Sequence, residues 1–210
     1  MSEKELRVSD LGLQSYEPIY ERMLEFTDNR NAETPDELWL LEHKPVYTLG
    51  KNGKEHHILN PGNIPVVKVD RGGQVTYHGP GQLIAYLLLD TRRAKLGVRQ
   101  IVTAMENAII QLLDHYSIKA FAKPDAPGVY VQEKKIAALG LRIRKGCSYH
   151  GLSLNLDMDK TPFDGINPCG FEGLQVAQLK DYLERLNVKD IKDILIQSLA
   201  EELSYRVSKI

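Results

Sequence analysis

Two cysteines, six histidines and the lysines around them are the side chains that could do chemistry in this chain. Cys169 lies in Ile-Asn-Pro-Cys-Gly-Phe, residues 166 to 171, where Pro168 and Gly170 restrict the backbone and put the sulfur on a turn rather than in an apolar stripe. Cys147 lies in Lys-Gly-Cys-Ser-Tyr-His-Gly at an expected hairpin, with His150 three residues on. A thiol attacks at neutral pH only as the thiolate, which a neighbouring cation favours. Lys134, Lys135 and His150 could supply that cation, and sequence does not say which is close. A buried, inert thiol is the competing reading for both cysteines.

The second feature is Arg-Gly-Gly-Gln-Val-Thr-Tyr-His-Gly-Pro-Gly-Gln, residues 71 to 82. Gly72, Gly73, Gly79 and Gly81 allow positive φ or close approach of a ligand. Arg71, Thr76, Tyr77, His78 and Gln82 add more donors and rings than a plain hairpin loop needs, although a hairpin connection is the simpler alternative. No Walker sequence and no Gly-x-Gly-x-x-Gly opening a helix is present, and Leu-Gly-Lys-Asn-Gly-Lys (49–54) reads as a surface turn. Metal binding has no support either. Among His43, His56, His57, His78, His115 and His150 the one close pair is adjacent, not at the spacing that shares a helix face. His115 suits a helix C-terminus, and His43 a strand end near a sheet edge.

These residues need elements to hold them. Leu13, Tyr16, Ile19, Tyr20, Met23 and Leu24 recur at three- and four-residue steps and predict a first helix. Leu38–Leu41, Ile64–Val69 and Leu83–Leu89 predict buried strands. Val98, Ile101, Val102, Met105, Ile109, Leu112 and Tyr116 form a long helical stripe. Ile118–Phe121, Gly128–Val131, Ile136–Ile143 and Ser148–Asp157 predict strands, with hairpin turns at Glu133-Lys134 and Lys145-Gly146. Asp190 could cap a last helix carrying Ile191, Ile194, Leu195 and Leu199. The expected class is mixed α/β, and with no repeat or long linker the expected organisation is one domain over residues 1–210.

Composition narrows the partners. A hydrophobic fraction of 42% and a charged fraction of 26% are those of an ordinary globule, and 27 basic against 28 acidic side chains give no global field for nucleic acid or an anionic membrane. The charged start Met-Ser-Glu-Lys-Glu-Leu-Arg lacks the apolar core of a signal peptide, and no apolar run approaches the roughly 20 residues that span a bilayer. A cytoplasmic protein with two free thiols and no disulfide is expected.

The 71–82 segment, Glu-Lys-Lys-Ile-Ala-Ala-Leu-Gly-Leu-Arg-Ile-Arg-Lys-Gly-Cys-Ser-Tyr-His-Gly-Leu-Ser-Leu-Asn (133–155) and Ile-Asn-Pro-Cys-Gly, in this order and at these separations, closely resemble the octanoyltransferases of lipoate biosynthesis. The likeness extends through Asp-Leu-Gly-Leu-Gln-Ser-Tyr-Glu-Pro, Glu-His-Lys-Pro-Val-Tyr-Thr-Leu-Gly-Lys and Asp-Ala-Pro-Gly-Val-Tyr-Val, up to about residue 175. The resemblance implies the fold of biotin and lipoate protein ligase catalytic domains, a mixed sheet with flanking helices. It implies transfer of octanoyl from the phosphopantetheine thioester of acyl carrier protein to a lysine ε-amine, through an acyl-cysteine. The acceptors implied are lipoyl domains of 2-oxoacid dehydrogenase complexes and the glycine-cleavage H protein. Cys169 is then the nucleophile and Lys135 its acid–base partner. Arg71, Gly72, Gly73, Gln74, Val75, Thr76, Tyr77 and His78, with Ala137, Ala138, Leu139, His150, Gly151 and Leu152, would line the acyl slot. A thioester is already activated, so neither ATP nor a metal is implied.

A monomer is the default expectation, and Cys147 would be a non-catalytic neighbour open to oxidation. Arg92, Arg93, Lys95, Arg142, Arg144 and Lys145 are candidates for a basic docking patch, with an ordinary solvated face as the alternative. Three other readings share these residues. An ATP-dependent lipoate or biotin ligase would adenylate a free acid, a cysteine thioesterase would release octanoate to water, and a carrier-binding module would not turn over.

Overall fold

The computed structural model describes residues 4–209. The first half of the chain runs β1 (Glu5–Gln14), α1 (Tyr16–Asp28), β2 (Asp36–His43), β3 (Val46–Leu49), β4 (Val66–Lys68), β5 (Val75–His78), β6 (Gln82–Leu88), α2 (Thr91–Ala94) and α3 (Val98–His115). The second half runs β7 (Phe121–Ala122), β8 (Gly128–Val131), β9 (Lys134–Arg144), β10 (Cys147–Asn155), α4 (Val188–Leu203) and β11 (Arg206–Lys209). Eight strands form one sheet in the order β11-β1-β2-β6-β10-β9-β8-β7, and β4-β3-β5 form a smaller one. Pairing is parallel across β11, β1 and β2 and antiparallel from β2 to β7, so the sheet is mixed, as expected. Among the described residues no helix is long and apolar enough to cross a membrane.

The central strands are apolar on both faces because both faces are covered. Successive side chains alternate, so Leu38 and Leu40 of β2 join the core under α3 and α4 while Trp39 and Leu41 pack with Ile19 and Met23 of α1. β10 is buried along its whole length, which makes it the scaffold on which the site is built.

Several boundaries differ from the sequence expectation. Leu13 belongs to β1 and is exposed, and α1 begins only after Ser15. β1 buries Leu6 and Val8 between charged neighbours and so shows no apolar run. Of the strand expected at Ile118–Phe121 only Phe121–Ala122 forms. Ile118 instead follows the left-handed Ser117, and its N–H closes on the Leu113 carbonyl at 2.9 Å, ending α3. Helix α4 is capped by Asn187, not Asp190; the Asn187 side chain accepts from the Asp190 N–H at 3.4 Å. His43 lies in the sheet interior, not at an edge, since β2 runs between β1 and β6.

The turn between β8 and β9 is Gln132-Glu133, at φ 48° and 67°, one residue earlier than Glu133-Lys134. Both central residues have positive φ, the pattern of a two-residue turn matched to strand twist. That one-residue shift decides which lysine faces inward: Lys134 is exposed and Lys135 is 4% exposed.

Candidate active site

The glycine-rich stretch is only partly a loop. Val75–His78 form β5, wholly buried and paired antiparallel with β3. Alternation along β5 turns Thr76 and His78 toward a cavity, while Tyr77 packs the opposite way against Tyr47 and Phe163, each ring 5.6 Å away. Gly81, at φ +81°, serves the protein's own packing, because a β-carbon there would lie 1.9 Å from the Asp157 carbonyl oxygen.

The cavity measures about 430 Å³, within the about 300–1,000 Å³ usual for small-ligand sites. Arg71, Gly72, Gly73, Gln74, Val75 and Thr76 supply one wall. Lys135, Ala138 and Leu139 of β9, and His150, Gly151 and Leu152 of β10, supply another, and Cys169 closes it. Ala137 does not line this cavity; it is 1% exposed in the core and borders a small adjoining space with Lys135 and Cys169. The cavity also takes in Tyr16, Tyr86, Val98 and Phe171, which the sequence reading did not include.

Lys135 Nζ donates to Cys169 Sγ at 3.0 Å. Neither residue reaches the other by accident. The Lys135 N–H donates to the Gln175 carbonyl and the Ala177 N–H donates to the Lys135 carbonyl, both at 2.9 Å, so the segment after Cys169 is stitched to β9. Cys169 itself sits at φ 57°, ψ 15°, a left-handed conformation that costs a non-glycine residue about 1–2 kcal/mol. That backbone conformation goes with a side chain aimed at the lysine. Burial pulls the Lys135 pKa down, but the charge and hydrogen bond of Cys169, joined by smaller contributions from Tyr130, outweigh it and the net shift is upward. The Tyr130 ring, its cross-strand neighbour, adds to this with its centroid 5.4 Å from Nζ.

A chain of polar groups holds the floor. Arg71, buried and with no carboxylate partner among the described residues, donates to the Thr48 carbonyl (2.7 Å), Thr48 Oγ1 (2.8 Å), the Gly72 carbonyl (2.9 Å) and the Gln74 carbonyl (2.9 Å). Thr48 Oγ1 lies 3.4 Å from His78 Nε2, His78 Nδ1 bonds Gln82 Oε1 at 2.7 Å, and Gln82 Nε2 donates to Asn155 Oδ1 at 2.8 Å. Asn155 then donates to the Ala177 carbonyl at 2.8 Å, which returns the chain to the strap beside Lys135. Burial pushes His78 down to about 3 and His43 to about 4, so both rings are neutral at physiological pH. His150, at φ 61° and 1% exposed, is braced by Asp70, whose Oδ1 lies 3.2 Å from Nε2.

One expectation is corrected here. Cys147 is no neighbour of Cys169: it pairs with Arg144 at the far end of β9, nine residues or roughly 30 Å along the strand from Lys135. Several of the candidate basic side chains have acidic partners. Arg144 and Lys145 bind Asp28, Arg93 binds Asp36 and Arg142 lies 3.9 Å from Asp70. Among the described residues no group of three His, Cys, Asp or Glu side chains could hold a metal ion.

A half-buried cysteine thus meets a buried lysine at the wall of a cavity, on a mixed sheet flanked by helices. Residues 20–200 match the model of the lipoyl protein ligase A/B catalytic domain. The fold is similar to a bipartite lipoate protein ligase from Thermoplasma acidophilum, with TM-score 0.71 at 17% identity over 99% of this chain and 87% of that one. It is similar also to the biotin protein ligase of Aquifex aeolicus, with TM-score 0.56 at 13% identity over 97% and 69%. At such identities these likenesses speak for the fold alone. An octanoyltransferase of Shewanella woodyi is 56% identical over 206 residues, covering 98% of this chain and 94% of the relative. The chain belongs to the octanoyltransferases, acyltransferases within the lipoyl protein ligase A/B catalytic-domain family.

Proposed function

We propose that this protein moves an octanoyl group from the phosphopantetheine thioester of acyl carrier protein to the ε-amine of a lysine on a lipoyl domain or the glycine-cleavage H protein. The acyl group rests on Cys169 between the two half-reactions. The observation that carries this reading is the 3.0 Å contact of Lys135 Nζ with Cys169 Sγ at the cavity wall.

In the first half, the Cys169 thiolate attacks the thioester carbonyl, the carbon–sulfur bond to pantetheine breaks, and the departing thiolate takes a proton from the Lys135 ammonium. Lys135 is then neutral and Cys169 is an uncharged thioester. The balance of influences on Lys135 has changed with it: the raising influence of Cys169 is gone, and burial, the largest, which favours the free amine, is opposed by Tyr130 alone. In the second half, that amine accepts a proton from the incoming lysine as it attacks the acyl-cysteine. Cys169 leaves as thiolate and the original ion pair is restored. The same pair thus serves as acid and then as base. Every bond in the cycle is exchanged for one of the same kind or, at the end, for an amide, so no ATP is consumed.

Incubation with octanoyl-acyl carrier protein should give an octanoyl adduct by intact mass that is absent from Cys169→Ala. An adduct persisting in that variant would overturn the assignment. Exchange of pyrophosphate into ATP would favour a ligase, and accumulation of free octanoate in place of amide would favour a thioesterase.

A further inference from the structure

The strained turn that carries Cys169 is held from outside by a residue that has no place in the chemistry above. His57 belongs to a short turn, Glu55–His57, whose following residues pair with the segment leading into Cys169. Ile58 bridges Ile166, and the N–H groups of Leu59 and Asn60 both donate to the Gly165 carbonyl, at 2.8 and 3.0 Å. The Asn167 N–H donates to the His57 carbonyl at 2.8 Å. The His57 ring completes the grip from two sides: Asn167 Nδ2 lies 3.4 Å from Nδ1, and Nε2 lies 3.3 Å from where a β-carbon on Gly170 would stand. The ring therefore spans the residues two before and one after the nucleophile. Asn167, 8% exposed, has its side chain fixed there.

We infer that His57 is a positioning residue, holding the nucleophile turn through the Nδ1 lone pair that accepts from Asn167. This rests on Cys169 being the nucleophile. The chemistry of the contact is specific. An amide N–H can donate to Nδ1 only where that nitrogen carries its lone pair, so His57 acts as the Nε2–H tautomer and no proton is exchanged. A left-handed cysteine relaxes toward ordinary φ unless its neighbours over-determine it. Here relaxation would carry Sγ away from Lys135 Nζ, and an error of about 1 Å in such a pair costs up to 10²-fold in rate.

The test separates the two ring nitrogens. His57→Asn places an oxygen near the Nδ1 position, and His57→Gln places its amide near Nε2. Two rates are read at Cys169: single-turnover acylation by a small octanoyl thioester, and alkylation by iodoacetamide at fixed pH, mapped by peptide. His57→Ala and His57→Gln should slow both by about tenfold or more, with the half-saturating thioester concentration unchanged, and His57→Asn should restore most of the loss. Wild-type rates in His57→Ala, restoration by Gln in place of Asn, or an equal loss in all three variants tracking their melting temperatures would each overturn the inference. Alkylation does not depend on octanoyl chemistry. A wild-type protein that is never acylated would therefore discredit Cys169 as nucleophile, while the His57 comparison would still be read from alkylation.

Discussion

Gly128 and Lys135 occupy the same space. A β-carbon on Gly128 would lie 2.3 Å from Lys135 Cε and 3.0 Å from Nζ, and the residue sits at φ +145°. The bare α-carbon is the bed on which the lysine side chain lies on its way to Cys169. Its position is set by the buried Glu106 of α3, whose Oε1 accepts the Gly128 N–H at 3.2 Å.

Gly128→Ala should therefore cost activity far beyond its cost in stability. The side chain of Lys135 can move aside, and the Ala137 carbonyl oxygen, 2.8 Å from the new β-carbon, must shift as well, so we expect about 1–3 kcal/mol of destabilisation but a loss of acyl transfer of roughly 10²-fold or more. Urea unfolding and single-turnover acylation, measured on the same preparation, check the disproportion. Equal small losses in both would mean that Lys135 does not lie across Gly128.

Much of the scaffold was legible from period alone, and the limits of legibility have physical causes. Helix α3 and strands β6, β8, β9 and β10 announce themselves because one or both faces are buried over many residues. β1 and β3 do not: one alternates two buried residues with charges, and the other is four residues between Pro45 and Gly50. Missing β5 as a strand has a cost in the site. Without its period of two, Tyr77 is grouped with Thr76 and His78, although it faces the opposite way. The Cys169–Lys135 pair, 34 residues apart in sequence, was accessible through motif resemblance and not through any spacing. The strap from Gln175 to Ala177 that joins them is a pair of main-chain contacts with no side-chain signature.

Asp70 gives a prediction in pH. Burial opposes its ionisation, but hydrogen bonds from His150, Tyr149 and Tyr20 prevail and hold its pKa well below the usual carboxylate range. A depressed folded pKa means that the stabilisation is present above the unfolded value, near 3.9, and lost as pH falls through the folded one. Asp70→Asn should thus destabilise by about 2 kcal/mol. The gap should not close between pH 8 and 5, and should narrow only below the ordinary carboxylate range. Burial lowers the His150 pKa while Asp70 raises it, so losing Asp70 can only widen the gap as pH falls toward 5. Denaturation midpoints across pH decide it, and a gap that begins to close near pH 6 would contradict the assignment.

Lys135 carries the opposite sign. With Cys169 beside it, its folded pKa lies above the ordinary lysine value, so its favourable interaction is complete below that value and is lost as pH rises through the folded one. Cys169→Ala removes both raising influences that come from the sulfur and leaves burial, the largest single influence, opposed by Tyr130 alone. Nζ chemical shifts followed by nitrogen NMR should show Lys135 titrating at lower pH in Cys169→Ala than in the wild type. The same downward move should follow octanoylation of Cys169. An unchanged midpoint would mean that the sulfur does not hold the proton on Lys135, and the acid-then-base cycle would lose its physical basis.

The two thiols should respond oppositely to reagents. Cys147 is 3% exposed, its pKa is pushed up by burial, and its Sγ lies 4.0 Å from the Lys145 carbonyl oxygen. It is held as a thiol in the hairpin that ends β9, where no lysine ammonium pairs with it. Cys169 is half-buried and within 3.0 Å of an ammonium. Reactivity follows thiolate character and access. Limiting iodoacetamide at pH 7 should therefore label Cys169 first, at least tenfold faster by peptide mapping. Lys135→Met, which keeps the bulk and removes the charge, should slow labelling of Cys169 and leave Cys147 as it was. Labelling of Cys147 at a comparable rate would show that the hairpin opens readily. Undiminished labelling of Cys169 in Lys135→Met would show that its thiolate is stabilised by some other group.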